Sequence, residues 1–494
     1  MIKKVNFEDT TICACATGNN ISAISVIRIS GPDDISIVAK IFKPKKDIPL
    51  SEVPGYTVLY GIIPKRNGVR LDDVIVTFYR APHSYTGEDS AEISCHGSPY
   101  IVSEIISMLI DNGAVYAQGG DFTKRAFLNG KMDLVQAEAV GDLILSETEA
   151  AHDVAMRQMR GAFSKELSQM REKLLKIVSL LELELDFSEE EVEFTDRKEL
   201  RELLENSCEH INELISSFKV GNAIKNGVPV AIVGSTNTGK STLLNALVGE
   251  DRAIVSPHAG TTRDTIEDVI NLEGVLFRFI DTAGIRSTLE AIEIIGIERT
   301  FYKIKQAQIV LLMLDGTRKE EFKESLNALS RKINSEEQTL IILINKCDQH
   351  AILPASETDD AVIGNIESIF NATDLIEEVR TLSSVINLYP SAILPISARQ
   401  GLGLDALRST LVESQKNMQS AGEMVLVNNM RHYSALKDAF NALLRANIAL
   451  GEQVPTDLVA QDIREALYSI GTIVGEISTD EVLGNIFKNF CIGK

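Results

Sequence analysis

Long apolar runs are missing from this sequence. The longest, "IVLLML" and "TLIILI", are strand length, far below the roughly 20 residues that a membrane-crossing helix needs. The opening "MIKKVNFEDT" has no apolar stretch of the kind that directs secretion. Paired cysteines are missing too. Cys13, Cys15, Cys95, Cys208, Cys347 and Cys491 form no Cys-x-x-Cys sets, so neither a structural zinc site nor a disulfide framework is indicated. The expectation is a soluble, cytoplasmic chain with reduced thiols. "CAC" at 13–15 reads as alternate residues of a buried strand before it reads as a soft-metal site. Basic residues are in deficit, 49 Lys and Arg against 70 Asp and Glu for a net charge of −21. That balance argues against broad, nonspecific nucleic-acid binding, though not against a local basic groove. Much of the acidic excess lies in "LELELDFSEEEVEFTD", read as a solvated helix end and loop.

Cys491 stands fourth from the end, in "NFCIGK", where a prenylation box would place its cysteine. Lys494 is a poor final residue for prenyl transfer and Gly493 is not aliphatic, which removes a lipid anchor from the reading.

What is present is ordinary globular material. The chain is 44% hydrophobic and 24% charged over 494 residues, too long for one core, so two to four domains are expected. Residues 1–120 read as mixed α/β. "AISVIRIS" and "DDVIVTFYR" are short β-branched runs, and "SPYIVSEIISMLIDNG" is a helix closed by Asn-Gly. Residues 121–220 turn helical. Met159, Phe163, Leu167, Met170, Leu174, Val178, Leu181 and Leu185 recur every three or four positions, an amphipathic stripe suited to a helical bundle. From 228 to 414 strands alternate with helices, as a mostly parallel sheet requires. "HYSALKDAFNALLRANIAL" and "TDLVAQDIREALYSIGTIVGEIS" are helical again. Helical flanks around an α/β unit point to an inserted domain, with the flanks packing together.

The strongest local signal is "VPVAIVGSTNTGKSTLLNALVG", a strand running into Gly234-x4-Gly239-Lys240-Ser241 and then a helix. Glycines let such a loop present backbone N–H groups to phosphate oxygens. Lys240 would reach the β- and γ-phosphates and Ser241 would ligate Mg²⁺. "GTTRD" sets Thr262 to complete the Mg²⁺ shell. "DTAG" sets Asp281 as the Walker-B carboxylate and Gly284 as a donor to the γ-phosphate. "NKCD" lets Asp348 accept two N–H bonds from a guanine edge, with Asn345 and Lys346 bracing the base and the backbone of Ser397 and Ala398 meeting its carbonyl oxygen. Four such motifs in this order, each at a strand's C-terminal end, specify GTP. The GTP-contacting set expected from these motifs, with Asn237 and residues 256–261 added only by the family resemblance described next, is Asn237, Thr238, Gly239, Lys240, Ser241 and Thr242; Ser256, Pro257, His258, Ala259, Gly260, Thr261 and Thr262; Asp281, Thr282, Ala283 and Gly284; and Asn345, Lys346, Asp348, Ser397 and Ala398. Ile285 occupies the position where Ras-type switches carry a water-orienting Gln. Glu293 is the candidate replacement; an exposed glutamate on a switch helix is the other reading that spacing alone allows. No cis arginine finger is visible, so charge developing on the phosphates must be met by Mg²⁺, Lys240 and another cation.

Asn237 ahead of Gly-Lys-Ser, "AGTTRD", and "DTAGIR" followed by "IGIER" resemble the TrmE–Era class of GTPases. "YTGEDSAEISCHG" (85–97), "FTKRAFLNGKMDLVQAEAVGDLI" (122–144), "VNNMRH" (427–432) and the terminal "IFKNFCIGK" resemble the MnmE (TrmE) family of tRNA-modification GTPases, in that family's order along the whole chain. The resemblance implies a multidomain α/β plus α fold: a folate-binding α/β N-terminal domain that pairs two chains (1–120), a discontinuous helical domain (121–220 and 415–494), and an inserted Ras-like P-loop G domain (221–414). It places Arg28, Glu92, Lys131 and Lys494 around a 5-formyl- or 5,10-methylene-tetrahydrofolate. Cys491 stands beside them as a candidate reactive thiol or a buried packing cysteine. It implies K⁺ held by Asn237 and by backbone carbonyls at Ser256 and His258, with Thr261 nearby, and Glu293 as the water-orienting, catalytic residue alongside Lys240. It further implies a homodimer whose G domains meet across bound K⁺, an FAD-dependent partner, MnmG, and tRNA as substrate, modified at carbon 5 of the wobble uridine.

The sequence departs from that pattern in "ATGNNISA", where the family is rich in proline and glycine, in Thr236, where proline is usual, and in "HGS" for "HGG". The first puts the shape of the loop near the folate in question. The rival class is an Era-type ribosome-assembly GTPase, which would share the G-domain motifs but carry a basic RNA-binding appendage, and none is evident here.

Overall fold

The computed structural model describes residues 10–18, 20–186, 197–250, 268–280, 304–334, 337–349, 373–415, 425–452, 454–477, 480–488, 490 and 492–493. The chain divides into two compact units, one of Met1–Leu145, Ala155–Ile215 and Arg431–Lys494, the other of Ser146–Val154 and Ser216–Met430.

The first unit begins with a seven-stranded sheet. Its strands are β1 (Ile12–Cys15), β2 (Ile24–Ser30), β3 (Lys43–Pro44), β4 (Thr57–Pro64), β5 (Arg70–Tyr79), β6 (Ser90–His96) and β7 (Val115–Tyr116), in spatial order β3-β4-β5-β6-β2-β1-β7. Strict alternation decides which face each side chain takes. Ile27 and Ile29 of β2, Val74, Val76 and Phe78 of β5, and Ile93 and Cys95 of β6 bury on one face with Val38, Ile41, Ile105 and Leu109 from the helices Asp34–Ile41 and Pro99–Asp111. Each such side chain contributes roughly 1.5–3 kcal/mol relative to exposure. Cys13 and Cys15 are both buried in β1, as alternate strand residues were expected to be. Arg28 and Glu92 are directly paired across β2 and β6 and lie on the other face. There Val58, Tyr60 and Ile75 of β4 and β5 are exposed.

Asp34, the first residue of its helix, is 1% exposed, and its Oδ2 has no hydrogen-bond partner among the described residues. Burial pushes its carboxyl up to about 7, with the Ile35 N–H pulling back and Asp89 adding to the rise.

The rest of this unit is helical. In the helix Ala162–Asp186, Phe163, Leu167, Met170, Leu174, Val178 and Leu181 are all buried, the apolar stripe read from the sequence. Its start differs from that reading: Met159 closes the preceding helix Glu149–Met159, and Gly161, at φ +82°, separates the two. The helix packs against Thr456–Val474, to which Arg171 is tied through the Leu467 carbonyl at 2.8 Å. Two of the sequence blocks meet in the interior. Glu138 accepts from Arg431 Nε and Nη2 at 3.1 and 2.8 Å, and His432 Nε2 lies 2.7 Å from its Oε2. Burial would raise the Glu138 carboxyl, but His432 and Arg431 outweigh it and hold it down to about 2.

The second unit is built on a six-stranded sheet: β8 (Val228–Val233), β9 (Asp268–Leu272), β10 (Val275–Phe279), β11 (Ile309–Asp315), β12 (Thr339–Asn345) and β13 (Ala392–Pro395). The order is β13-β12-β11-β8-β10-β9, parallel except for β9 against β10. Every residue of β11 is buried, as expected of a parallel strand covered on both faces. Successive strands leave β8 in opposite directions, so the crevice at its C-terminal end is a topological switch point.

Candidate functional site

The loop after β8 enters that crevice. Gly234 takes φ +150° and Gly239 φ +98°. A Cβ on either would overlap a neighbour, the Met313 carbonyl oxygen for Gly234 and Asn345 Nδ2 for Gly239. Only glycine therefore lets the backbone pass so close to β11 and β12. Asn237 adopts φ +62°, a left-handed conformation that Asn tolerates better than most residues. Thr238 Oγ1 donates to the Ser235 carbonyl at 2.9 Å. Lys240 opens the helix Lys240–Glu250, and its ammonium donates to the carbonyls of Gly234 and Ser235 at 2.9 and 2.7 Å. Ser241 and Thr242 follow in the first turn, where helix N–H groups and the macrodipole favour an anion. The loop thus fits a polyphosphate: backbone approachable through two glycines, a cation folded into it, and a hydroxyl at the helix start.

The far side of the crevice is held by Asn345, 4% exposed at the end of β12. Its Nδ2 donates to the Thr238 carbonyl at 2.7 Å, and its Oδ1 accepts from the Ala398 N–H at 2.9 Å. Asn345 therefore ties the loop after β8 to the Ser397–Ala398 segment. Lys346, at φ +63°, donates to Asp315 Oδ2 at 2.6 Å. Burial would raise the Asp315 carboxyl, yet hydrogen bonds from Lys346 and Thr317 lower it overall, so the pair is ionic. Asp348 is half-buried, and its carboxylate has no protein partner among the described residues, leaving both oxygens available to a ligand. Asp315 was missed from sequence. The available signal was its place at the end of "IVLLMLD", beside the strand carrying "NKCD".

A second cluster lies on the first unit's sheet. Arg28 Nε and Nη2 donate to Glu92 Oε1 at 3.0 and 2.7 Å, and Arg28 Nη1 donates to the Gly493 carbonyl at 3.2 Å. Tyr79 donates to Glu92 Oε2 at 3.2 Å. Burial first, and Glu92 second, raise the Tyr79 hydroxyl, keeping it a donor. The Arg28 guanidinium stands 5.2 Å from the Tyr85 ring and 5.7 Å from the Phe122 ring, within cation–π range. Lys131 donates to the Pro82 carbonyl of the 80–89 loop at 2.9 Å. Carboxylate, guanidinium and aromatic faces in one place suit a flat heterocycle with a donor–acceptor edge. Tyr79, Tyr85 and Phe122 were not singled out from sequence, because nothing local in "FYR", "SYTGE" or "GDFTK" marks them.

Ser256, Pro257, His258, Ala259, Gly260, Thr261, Thr262, Asp281, Thr282, Ala283, Gly284, Glu293, Cys491 and Lys494 lie outside the described residues. Among the described residues no helix is long and apolar enough to cross a membrane.

Comparison with known proteins bears on the whole chain. Residues 134–491 match a family model described as the MnmE helical domain, and residues 11–131 match one described as the GTP-binding protein TrmE N-terminus. The tRNA modification GTPase MnmE of Bacteroides thetaiotaomicron is 49% identical over 490 residues, 98% of this chain and 99% of that one. The protein of the same name from Parabacteroides distasonis is 47% identical over 488 residues, covering 98% and 100%. A solved GTP-binding protein from Sulfolobus solfataricus, in complex with GDP, overlays with a TM-score of 0.25 at 18% identity, covering 49% of this chain and 66% of that one; a score so low carries no argument.

Proposed function

The chain belongs to the MnmE family of tRNA modification GTPases, and from that membership we propose that it couples GTP hydrolysis to building an aminomethyl or carboxymethylaminomethyl group onto carbon 5 of the wobble uridine in certain tRNAs. A methylene carbon comes from a tetrahydrofolate derivative, and glycine or ammonium supplies the amine. An FAD-dependent, NADH-using partner, MnmG, completes the complex in the cytoplasm. The domain plan is the one the resemblance implies, with a G domain (221–414) inserted between helical segments 121–220 and 415–494, after a folate-binding domain (1–120) that pairs two chains.

In the G domain, Lys240 and the loop amides hold the phosphates, Ser241 and Thr262 ligate Mg²⁺, and Asp348 reads the guanine edge. Asn237, Ser256, His258 and Thr261 hold K⁺ where two G domains meet. That ion meets charge developing on the phosphates, and Glu293 orients the attacking water that Ile285 cannot hold. Closing and reopening of the G domains would regulate the modification chemistry rather than perform it.

The observation that carries the folate reading is the meeting of Arg28 and Glu92 with Gly493, which lies more than 400 residues further along the chain. An Era-type assembly GTPase has no use for such a cluster. Calorimetric titration with 5-formyltetrahydrofolate tests it. Binding to the whole chain, weakened by Glu92→Ala, supports the reading; a folded whole chain that binds none rejects it.

A further inference from the structure

Phe490, Ile492 and Gly493 do not trail away from the helix Asp480–Phe487; they are threaded back. The Phe490 N–H donates to the Phe487 carbonyl at 3.0 Å. The Phe490 ring then packs beside Phe487, centroids 5.3 Å apart, in an apolar patch with Leu134, Ala137 and Leu483. Ile492 forms an antiparallel bridge with Gly119. Gly493, at φ +92°, lies against the end of β1, and its carbonyl accepts from Arg28.

This path runs over two consecutive glycines that have no room for a side chain. A Cβ on Gly119 would overlap the Phe490 carbonyl oxygen. A Cβ on Gly120 would stand 2.7 Å from the Phe487 carbonyl oxygen, and Gly120 also holds φ +77°. Both obstacles are backbone, which cannot swing aside as a flexible side chain could. A third glycine, Gly493, meets the same limit, since its Cβ would be 2.7 Å from the Ala16 Cα. Gly119 and Gly120 against Phe487 and Phe490, and Gly493 against Cys15 and Ala16, are two close backbone approaches that together fix the register of this segment. Gly493 therefore arrives at Arg28 by construction.

We infer that Gly119 and Gly120, with the Phe490 ring as anchor, form a seat that fixes the C-terminal residues against Arg28 and so positions them for the ligand of that site. The seat itself stands on geometry alone; its consequence for ligand binding rests on the folate reading proposed above. These are positioning residues, since each acts through the tail.

The test compares the full-length chain with Gly119→Ala, Gly120→Ala, Phe490→Ala and Gly130→Ala. Gly130 has φ +67° but open space around its Cβ position, so it carries backbone strain without blocking the tail. Release of C-terminal residues by carboxypeptidase, followed by intact mass, reports whether the tail is held. The seat predicts fast release from Gly119→Ala and Phe490→Ala, and slow release from the parent chain and from Gly130→Ala. Should Gly120→Ala fail to fold, Phe490→Ala decides the point, because it leaves the glycine backbone intact. Equal release from all variants overturns the seat. 5-Formyltetrahydrofolate binding is then measured on the same proteins. Weakening in the released variants, as large as that caused by deleting residues 491–494, upholds the positioning role, and unchanged binding overturns it. Absence of binding even to the parent chain would reject the folate reading, while the carboxypeptidase result still decides the seat.

Discussion

Asn345 and Thr238 are joined by a 2.7 Å hydrogen bond from a side-chain amide to a backbone carbonyl, so the end of β12 and the loop after β8 are tied to each other. Replacing Asn345 by Ala would leave the Thr238 carbonyl and the Ala398 N–H buried without partners. Each unsatisfied group costs roughly 1–3 kcal/mol. Asn345→Ala should therefore weaken GDP and GTP together by about tenfold or more, as read by titration with a fluorescent guanine nucleotide. Selective loss of one nucleotide would contradict this bracing role.

Asp348 is the half-buried carboxylate whose two acceptor oxygens match the two N–H groups of a guanine edge. Asn presents one acceptor and one donor, a pattern that matches the N–H and carbonyl of xanthine. Asp348→Asn should lose GTP hydrolysis at low nucleotide and recover it with xanthosine triphosphate. Retained preference for GTP would remove Asp348 from base recognition.

Glu293 and K⁺ are assigned to the hydrolytic step rather than to binding. Glu293→Ala should lower turnover by roughly 10²-fold, the usual scale for a positioned acid or base, with nucleotide affinity unchanged. Replacing K⁺ by Na⁺ should also slow hydrolysis. Equal turnover in the two salts would contradict the K⁺ assignment.

Asp34 makes a pH prediction. Its folded carboxyl titrates near 7 against an ordinary 3.8, so between those values the folded state holds a proton that the unfolded state has released. Stability should therefore fall as pH rises from about 4 to 7 and level off above. Asp34→Asn, uncharged throughout, should flatten that slope and raise stability at pH 8 by up to a few kcal/mol, at about 1.4 kcal/mol per pH unit. Denaturant unfolding at pH 5 and pH 8 measures both, and parallel slopes in the two proteins would contradict it.

The elements most legible in the sequence are those whose pattern is local. The strand "VPVAIVG", the loop to Ser241 and the buried face from Phe163 to Leu181 follow from glycine spacing and a period near 3.6. Relationships between distant segments were not legible. The pairing of Glu138 with Arg431 and His432 joins residues some 290 positions apart, and each alone reads as an ordinary charged residue on a helix. The motif around Asn345 likewise does not reveal that its amide bonds both Thr238 and Ala398. Tyr79 and Phe122 acquire meaning only when β5, β6 and the helix Asp121–Leu128 bring them to Arg28 and Glu92.

The central claim is that this chain feeds a folate-borne carbon to the wobble uridine under control of GTP. The most direct measurement is mass spectrometry of tRNA nucleosides after reaction with this protein, its MnmG partner, NADH, glycine or ammonium, and methylene-tetrahydrofolate labelled in the transferable carbon. With GTP in K⁺ buffer the label should appear on carbon 5 of the wobble uridine, and with GDP it should be absent or much reduced. Unlabelled uridine, or label that appears equally without this protein, would contradict the account.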